Sequence, residues 1–273
     1  MQYNVERYRR LRTAPAGELR QAIRCAEYQG HTAGLAPGCL QANIIILPES
    51  HALDFMRFCQ RNPKPCPLVG VSETGDPILN TLGVDIDIRT DVPAYNIYRD
   101  GVLDESVCDI VDLWSSEHVA FALGCSFTFE TALIDAGIPI WHIEQNKTVP
   151  MYRSNIMTTA AGPFGGEMVV TMRAVEKGRV DEAIAISRQY PLAHGGPVHV
   201  GDPAAIGLRD LGKPDWGDAP PDLDGKESVF WACGVTPQHA LMRASLPLSI
   251  SHKPGHMLIT DIDDQAEVPV YAG

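Results

Sequence analysis

The chain has 273 residues, 45% of them hydrophobic and 21% charged, a composition suited to one large or two ordinary globular domains. A formal charge of −12 disfavours nucleic acid as a partner, and no run of eighteen apolar residues is present to span a membrane. Seven cysteines without CxxC spacing, behind an N-terminus that lacks an apolar signal core, point to reduced thiols and a cytoplasmic protein.

Residues 14–28 read as an opening helix with Leu19, Ile23 and Ala26 on one face and Gly30 closing it. Asn43-Ile-Ile-Ile-Leu47 is an unbroken apolar run suited to a buried strand. A second helix is expected over 50–60, with Leu53, Met56 and Phe58 turned inward. Three prolines within 61–70 make that segment extended and bar it from a sheet interior. Alternation over 85–91 and 94–98 predicts two strands, with a turn at Asp100-Gly101.

The next unit is sharper. Residues 118–123 predict a buried strand with a tight exit at Gly124-Cys125-Ser126. A helix follows over 129–135, with Thr128 as N-cap and Gly137 as stop, then a returning strand over 138–142. The pattern recurs as a strand over 229–232, an exit at Cys233-Gly234, and a helix with Thr236 as N-cap and Pro237 in its first turn. At constant offset Cys125 falls on Cys233, Thr128 on Thr236, Glu130 on Gln238 and Leu133 on Leu241, and each unit returns through Ile-x-His, at His142 and at His252. We read this as a weak internal duplication. Between the copies a strand over 167–172, a helix over 180–190 and a short strand over 197–200 form a βαβ-sized piece.

The expected fold is therefore α/β. A mixed-sheet, layered, discontinuous main domain (1–145 plus 228–273) would carry both cysteine units. A smaller inserted two-layer α/β domain (146–227) would interrupt it, and the tail after Asp264 would be mobile.

Chemistry concentrates in rigid loops. Tyr190-Pro-Leu-Ala-His194-Gly-Gly-Pro-Val-His199-Val-Gly-Asp202-Pro is fixed in shape by its glycines and prolines, with two histidines and an aspartate as its reactive heads. Ser251-His252-Lys-Pro-Gly-His256 adds two more histidines across a Pro-Gly turn that rules out a helical metal face. Cys125 and Cys233 each stand between a strand and a helix N-terminus, where the helix favours thiolate and binds anions. Arg173 is the best carboxylate clamp, with Tyr152 and Asn155 expected in a loop after Pro150. Histidines near neutral pKa beside an aspartate and an arginine suit proton shuttling on a small carboxylic acid.

Six stretches carry a family resemblance: Gly-Cys125-Ser-Phe-Thr-Phe-Glu130, Val-Pro-Met-Tyr152-Arg-Ser-Asn155, Met168-Val-Val-Thr-Met-Arg173, the His194–Asp202 loop, Phe230-Trp-Ala-Cys233-Gly-Val-Thr-Pro-Gln238 and His252-Lys-Pro-Gly-His256-Met. Over about residues 10 to 261 the chain resembles the hydro-lyase, or D-glutamate cyclase, family, with Thr171 and Ala174 as small departures. The resemblance implies a lyase that releases water, by analogy converting D-glutamate to 5-oxo-D-proline.

For that chemistry His194 or His199, oriented by Asp202, is the expected base and His252 or His256 the expected acid. Arg173, Tyr152, Asn155, Cys125, Glu130, Cys233 and Gln238 are the expected substrate-binding set. No metal and no cofactor is required. The expected partner is a small carboxylate or amino acid, with a homodimer as an option. Two other readings fit the same residues: a non-catalytic protein binding a carboxylate or 5-oxoproline, and a metal-dependent hydrolase of a cyclic amide.

Overall fold

The structure, a computed structural model, describes residues 5–145, 147–220 and 223–269. Two short helices, α1 (Val5–Leu11) and α2 (Ala16–Arg24), open the chain. α2 buries Leu19 and Ile23, as its spacing predicts, but it ends before Ala26, which is exposed at φ +55°. The stop is therefore earlier than Gly30.

A seven-stranded antiparallel sheet follows. It comprises β1 (Cys39–Pro48), β2 (Leu68–Val71), β3 (Tyr95–Arg99), β4 (Val102–Val107), β5 (His118–Gly124), β10 (Ser249–His252) and β11 (Leu258–Asp263). Its order is β2-β5-β1-β10-β3-β4, and β11 pairs with the first part of β1, beside the stretch where β10 pairs. β2 contains the end of the proline-rich segment and sits at the sheet edge, as a strand entered through prolines must.

A second antiparallel sheet holds β6 (Met151–Met157), β7 (Glu167–Glu176), β8 (His199–Val200) and β9 (Lys226–Ala232), in the order β6-β7-β9-β8. The remaining helices are α3 (Glu49–Arg61), α4 (Phe127–Asp135), α5 (Trp141–Glu144), α6 (Val180–Ser187) and α7 (Val235–Ala244).

The two cysteine units do not share a sheet. The first, β5–α4, starts in the large sheet; the second, β9–α7, starts in the small one. Each unit's helix then packs between the two sheets. Phe129 and Leu133 of α4 join a core cluster that holds Ala42, Ile44, Ala120 and Ala122 of the large sheet and Val175, Val229 and Trp231 of the small one, and the Phe129 and Trp231 rings stand 5.6 Å apart. Ala240 and Leu241 of α7 join Ile45, Leu47, Val119 and Phe121 of the large sheet, while α7 also lies against β7 of the small one. Strand pairing in both sheets is antiparallel, so the expected mixed sheet is absent among the described residues.

Other expectations change for local reasons. In α3 Phe55, Phe58 and Cys59 face inward, whereas Leu53 and Met56 are 58% and 39% exposed, because the buried stripe runs through Phe55 and Phe58. Residues 85–91 form turns held by the Asp87 and Asp91 carboxylates, not a strand. Residues 138–142 do not return as a strand either; after Ile140 the chain coils into α5. The hairpin at Asp100-Gly101 is present, and its second arm, the exposed β4, has no alternating apolar pattern to announce it. The tail after Asp264 begins with Gln265, whose side chain bonds the Tyr190 hydroxyl, and its last four residues lie outside the described ones.

Candidate functional site

Both strand-to-helix corners open onto one pocket. Cys125, Ser126 and Phe127 line it from the first corner and Cys233, Gly234 and Val235 from the second, around an empty volume of about 370 Å³. Asn43 of β1, Thr171 of β7, His252 at the end of β10 and the turn at Pro254 and Gly255 complete the wall. Neither α4 nor α7 has a cap from its N-cap side chain, and both helix starts line the pocket with their partial positive charge; Val235 N–H donates to Cys233 Sγ at 3.4 Å. Thr128 and Thr236, expected as caps, instead accept hydrogen bonds from the neighbouring strands, from Gln41 N at 3.2 Å and Val169 N at 3.0 Å.

Gly234 is required by close approach. A Cβ there would stand 2.2 Å from the Asn43 amide nitrogen, which itself donates to the carbonyls of Leu123 and Gly124.

Behind the first corner lies a buried charged network. Arg173, 1% exposed, donates to Glu130 Oε1 through Nε (3.0 Å) and Nη2, to Thr171 Oγ1 through Nη1 (2.9 Å) and to Ser126 Oγ through Nη2 (3.2 Å). Its guanidinium lies 5.1 Å from the Phe129 ring centre and 5.3 Å from that of Trp231. His142 Nε2 stands 2.9 Å from the same Glu130 oxygen, while Glu130 Oε2 has no partner among the described residues. Burial alone would raise the Glu130 pKa; the charges of His142 and Arg173 overcome it and hold the carboxyl down at about 2. Arg173 is not itself among the residues lining the pocket, but it donates to two hydroxyls that are.

The histidines separate. His252, 1% exposed, lines the pocket; its Nδ1 lies 3.0 Å from the Ile44 amide nitrogen and 3.2 Å from the Ile44 carbonyl oxygen. The Gln238 amide nitrogen lies 3.2 and 3.1 Å from its two ring nitrogens, over the ring. Burial lowers the His252 pKa to about 4, so the ring is neutral at pH 7.

His194 is buried at φ +71°, outside the pocket wall. Its Nδ1 donates to the Lys64 carbonyl at 2.8 Å, and Lys64 Nζ donates back to the His194 carbonyl at 3.1 Å. Its Nε2 is buried without a partner among the described residues, and burial lowers its pKa to about 4. His256 donates to the Pro254 carbonyl at 3.1 Å and is likewise lowered to about 4 by burial.

The other expected residues stand elsewhere. His199 Nε2 donates to the Asp202 carbonyl, not its carboxylate, and Asp202 Oδ1 accepts from Ala204 N–H to cap a turn at the far edge of the small sheet. Tyr152 and Asn155 lie on β6 rather than in a loop; Tyr152 is buried with its hydroxyl on the Leu211 carbonyl, and Asn155 is exposed beside Gly207. Cys125 and Cys233 do line the pocket, yet burial pushes their thiols up to about 12 and about 11. Desolvation outweighs the helix ends, and both are neutral thiols at pH 7. Among the described residues no group of three or more His, Cys, Asp or Glu is placed to hold a metal. No helix among them is long and apolar enough to cross a membrane.

Asn43, Ser126 and Thr171 escaped the sequence reading. Only Asn43 left a signal, as the one polar residue in the Ala42–Leu47 run.

The geometry defines an α/β protein with a small, anion-suited pocket between two helix starts. Comparison supplies its family. Residues 119–261 match the family described as D-glutamate cyclase. The chain is 64% identical over 263 residues to a "Putative hydro-lyase" of Dinoroseobacter shibae, covering 96% of this chain and 88% of that protein. It is 63% identical to one of Ruegeria pomeroyi, covering 96% of each. Among solved structures, a nitrogen repressor-like protein from Methanococcus jannaschii aligns over 86% of this chain and 91% of that one, at 10% identity and a TM-score of 0.38, too loosely to argue from. The chain belongs to the D-glutamate cyclase family, whose relatives here are named as hydro-lyases.

Proposed function

We propose that the pocket eliminates water from a small amino or carboxylic acid, with conversion of D-glutamate to 5-oxo-D-proline as the specific reaction. One observation carries this reading: two helix starts without side-chain N-caps and a buried, neutral His252 converge on one small pocket. The reaction makes one C–N bond between the amine and the side-chain carboxyl carbon, breaks one C–O bond and releases one water. The ammonium loses two protons on the way to the lactam N–H, one before it attacks, and the departing carboxylate oxygen gains two.

In its Nε2-protonated tautomer His252 acts as a neutral donor to the developing oxyanion, a role an imidazole fills when its cationic form is suppressed. With a pKa of about 4 only about one ring in a thousand is cationic at pH 7, so hydrogen-bond donation is the role its state allows. We assign the base to His194, which is buried outside the pocket wall with an Nε2 that has no partner among the described residues. Cys125 and Cys233 contact substrate as neutral thiols, Gln238 holds the His252 ring, and Glu130 with Arg173 holds Ser126 and Thr171. We assign His199, Asp202, Tyr152 and Asn155 to the loops and strands that their hydrogen bonds hold, and His256 to the shape of the turn beside the pocket.

NMR of purified protein supplied with D-glutamate, L-glutamate or 5-oxoproline tests the proposal. Accumulation of 5-oxo-D-proline from the D-isomer is expected, with kcat lowered about 100-fold or more in His252→Gln. Absence of any product, or full turnover by that variant, overturns it. None of the titratable groups lining the pocket titrates near pH 7, and this favours a second reading, in which the pocket binds 5-oxoproline without turning it over. Saturable binding with no product would select that reading.

A further inference from the structure

The duplication persists in three dimensions. β1 pairs with β5 through Ala42 and Gly124, and β7 pairs with β9 through Val170 and Ala232, the same positions of the two copies. Cys125 N–H donates to the Gln41 carbonyl at 2.9 Å and Cys233 N–H to the Val169 carbonyl at 3.1 Å. The threonine bonds already described, to Gln41 and Val169, repeat the correspondence. The pocket therefore lies between two equivalent corners of one repeated unit.

The corners are equivalent in backbone and opposite in chemistry. Position for position, Ser126 faces Gly234, Thr171 corresponds to Asn43, Arg173 to Ile45, and the Glu130–His142 pair to Gln238–His252. One copy has an ion pair whose guanidinium edge points at two pocket hydroxyls; the other has only neutral groups. Ser126 Oγ and Thr171 Oγ1 each accept a bond from Arg173; the Thr171 hydroxyl donates to the Trp231 carbonyl at 3.5 Å, so it is the Ser126 hydroxyl proton that is left to donate to a ligand.

Resting on the reading above, we propose that the two corners have divided the substrate between them. The Ser126 corner, backed by Arg173, anchors the carboxylate that stays ionised. The Asn43–His252 corner receives the end that reacts. The substrate class this selects is a short, two-ended acid, anionic at one end and losing charge at the other. Ser126 is then the specificity-determining residue, and Thr171, Arg173, Glu130 and His142 act by positioning it.

Glutarate, a two-carboxylate probe with no amine to cyclise, separates the corners by calorimetry. Ser126→Ala should weaken its binding about tenfold, the loss expected for a hydrogen bond to a charged group, and Thr171→Val, which removes one acceptor of the Arg173 guanidinium, should weaken it by a smaller factor. His252→Gln should weaken it far less while removing turnover of D-glutamate. Near-UV circular dichroism establishes that each variant is folded, and the two corner substitutions, made in different strands and helices, guard against loss of either one. Unchanged glutarate binding in both corner variants overturns the assignment. So does a larger loss in His252→Gln, or no binding to the wild-type protein. If glutarate binds in this Ser126-dependent way but D-glutamate is never converted, the cyclase reading fails and the division of the pocket stands.

Discussion

Arg173 and Glu130 show how one buried pair can serve a site it does not touch. Each is within 1% of full burial, so removing one partner leaves an uncompensated charge in the core. Arg173→Met should cost about 3–5 kcal/mol of stability, whereas the double variant with Glu130→Gln should recover most of it. Denaturant unfolding of the four proteins measures the coupling.

His194 and His252 make a second residue-scale prediction. Their pKa values near 4 in the folded chain lie below the ordinary 6.5, so the unfolded state binds more protons between these limits. Stability is complete above pH 6.5 and falls as pH is lowered toward 4, by about 2 kcal/mol per histidine at pH 5. A melting temperature flat from pH 7 to 8 and dropping steeply below 6.5 is expected. His252→Gln should flatten part of the drop.

Gly124 and Gly234 govern how the elements meet. A Cβ on Gly124 would overlap the Leu192 carbonyl oxygen, at 1.6 Å, in the loop that carries His194. Backbone cannot yield as a side chain can, so Gly124→Ala should destabilise by about 1–3 kcal/mol or more and displace that loop, seen as a changed His194 resonance. At this scale the sequence was legible where both spacing and chemistry repeat. The strand–Cys–helix units, the buried 43–47 run and the buried face of α2 were readable in that way. Leu53 and Met56 were not, because an apolar residue on a helix does not say which stripe is buried. Residues 138–142 misled because a five-residue apolar run with a proline fits a strand or a coil equally.

Across the whole molecule the placing of α4 and α7 between two sheets is what periodicity does not disclose. Local pattern reports that α4 is apolar, not that it meets Val229 and Trp231 of the small sheet as well as Ala120 and Ala122 of the strand preceding it. The same limit applies to the pocket. Cys125, Cys233 and His252 were selected from sequence and do converge there, while His199 and Asp202, adjacent to His194 in sequence, are carried to the edge of the small sheet by β8.

A crystal structure of the protein with 5-oxo-D-proline tests that convergence. We expect the ring seated between the two helix starts, its carboxylate on Ser126 and its amide carbonyl toward His252. Ligand bound instead against His199 and Asp202, with the pocket between Cys125 and Cys233 empty, would contradict it.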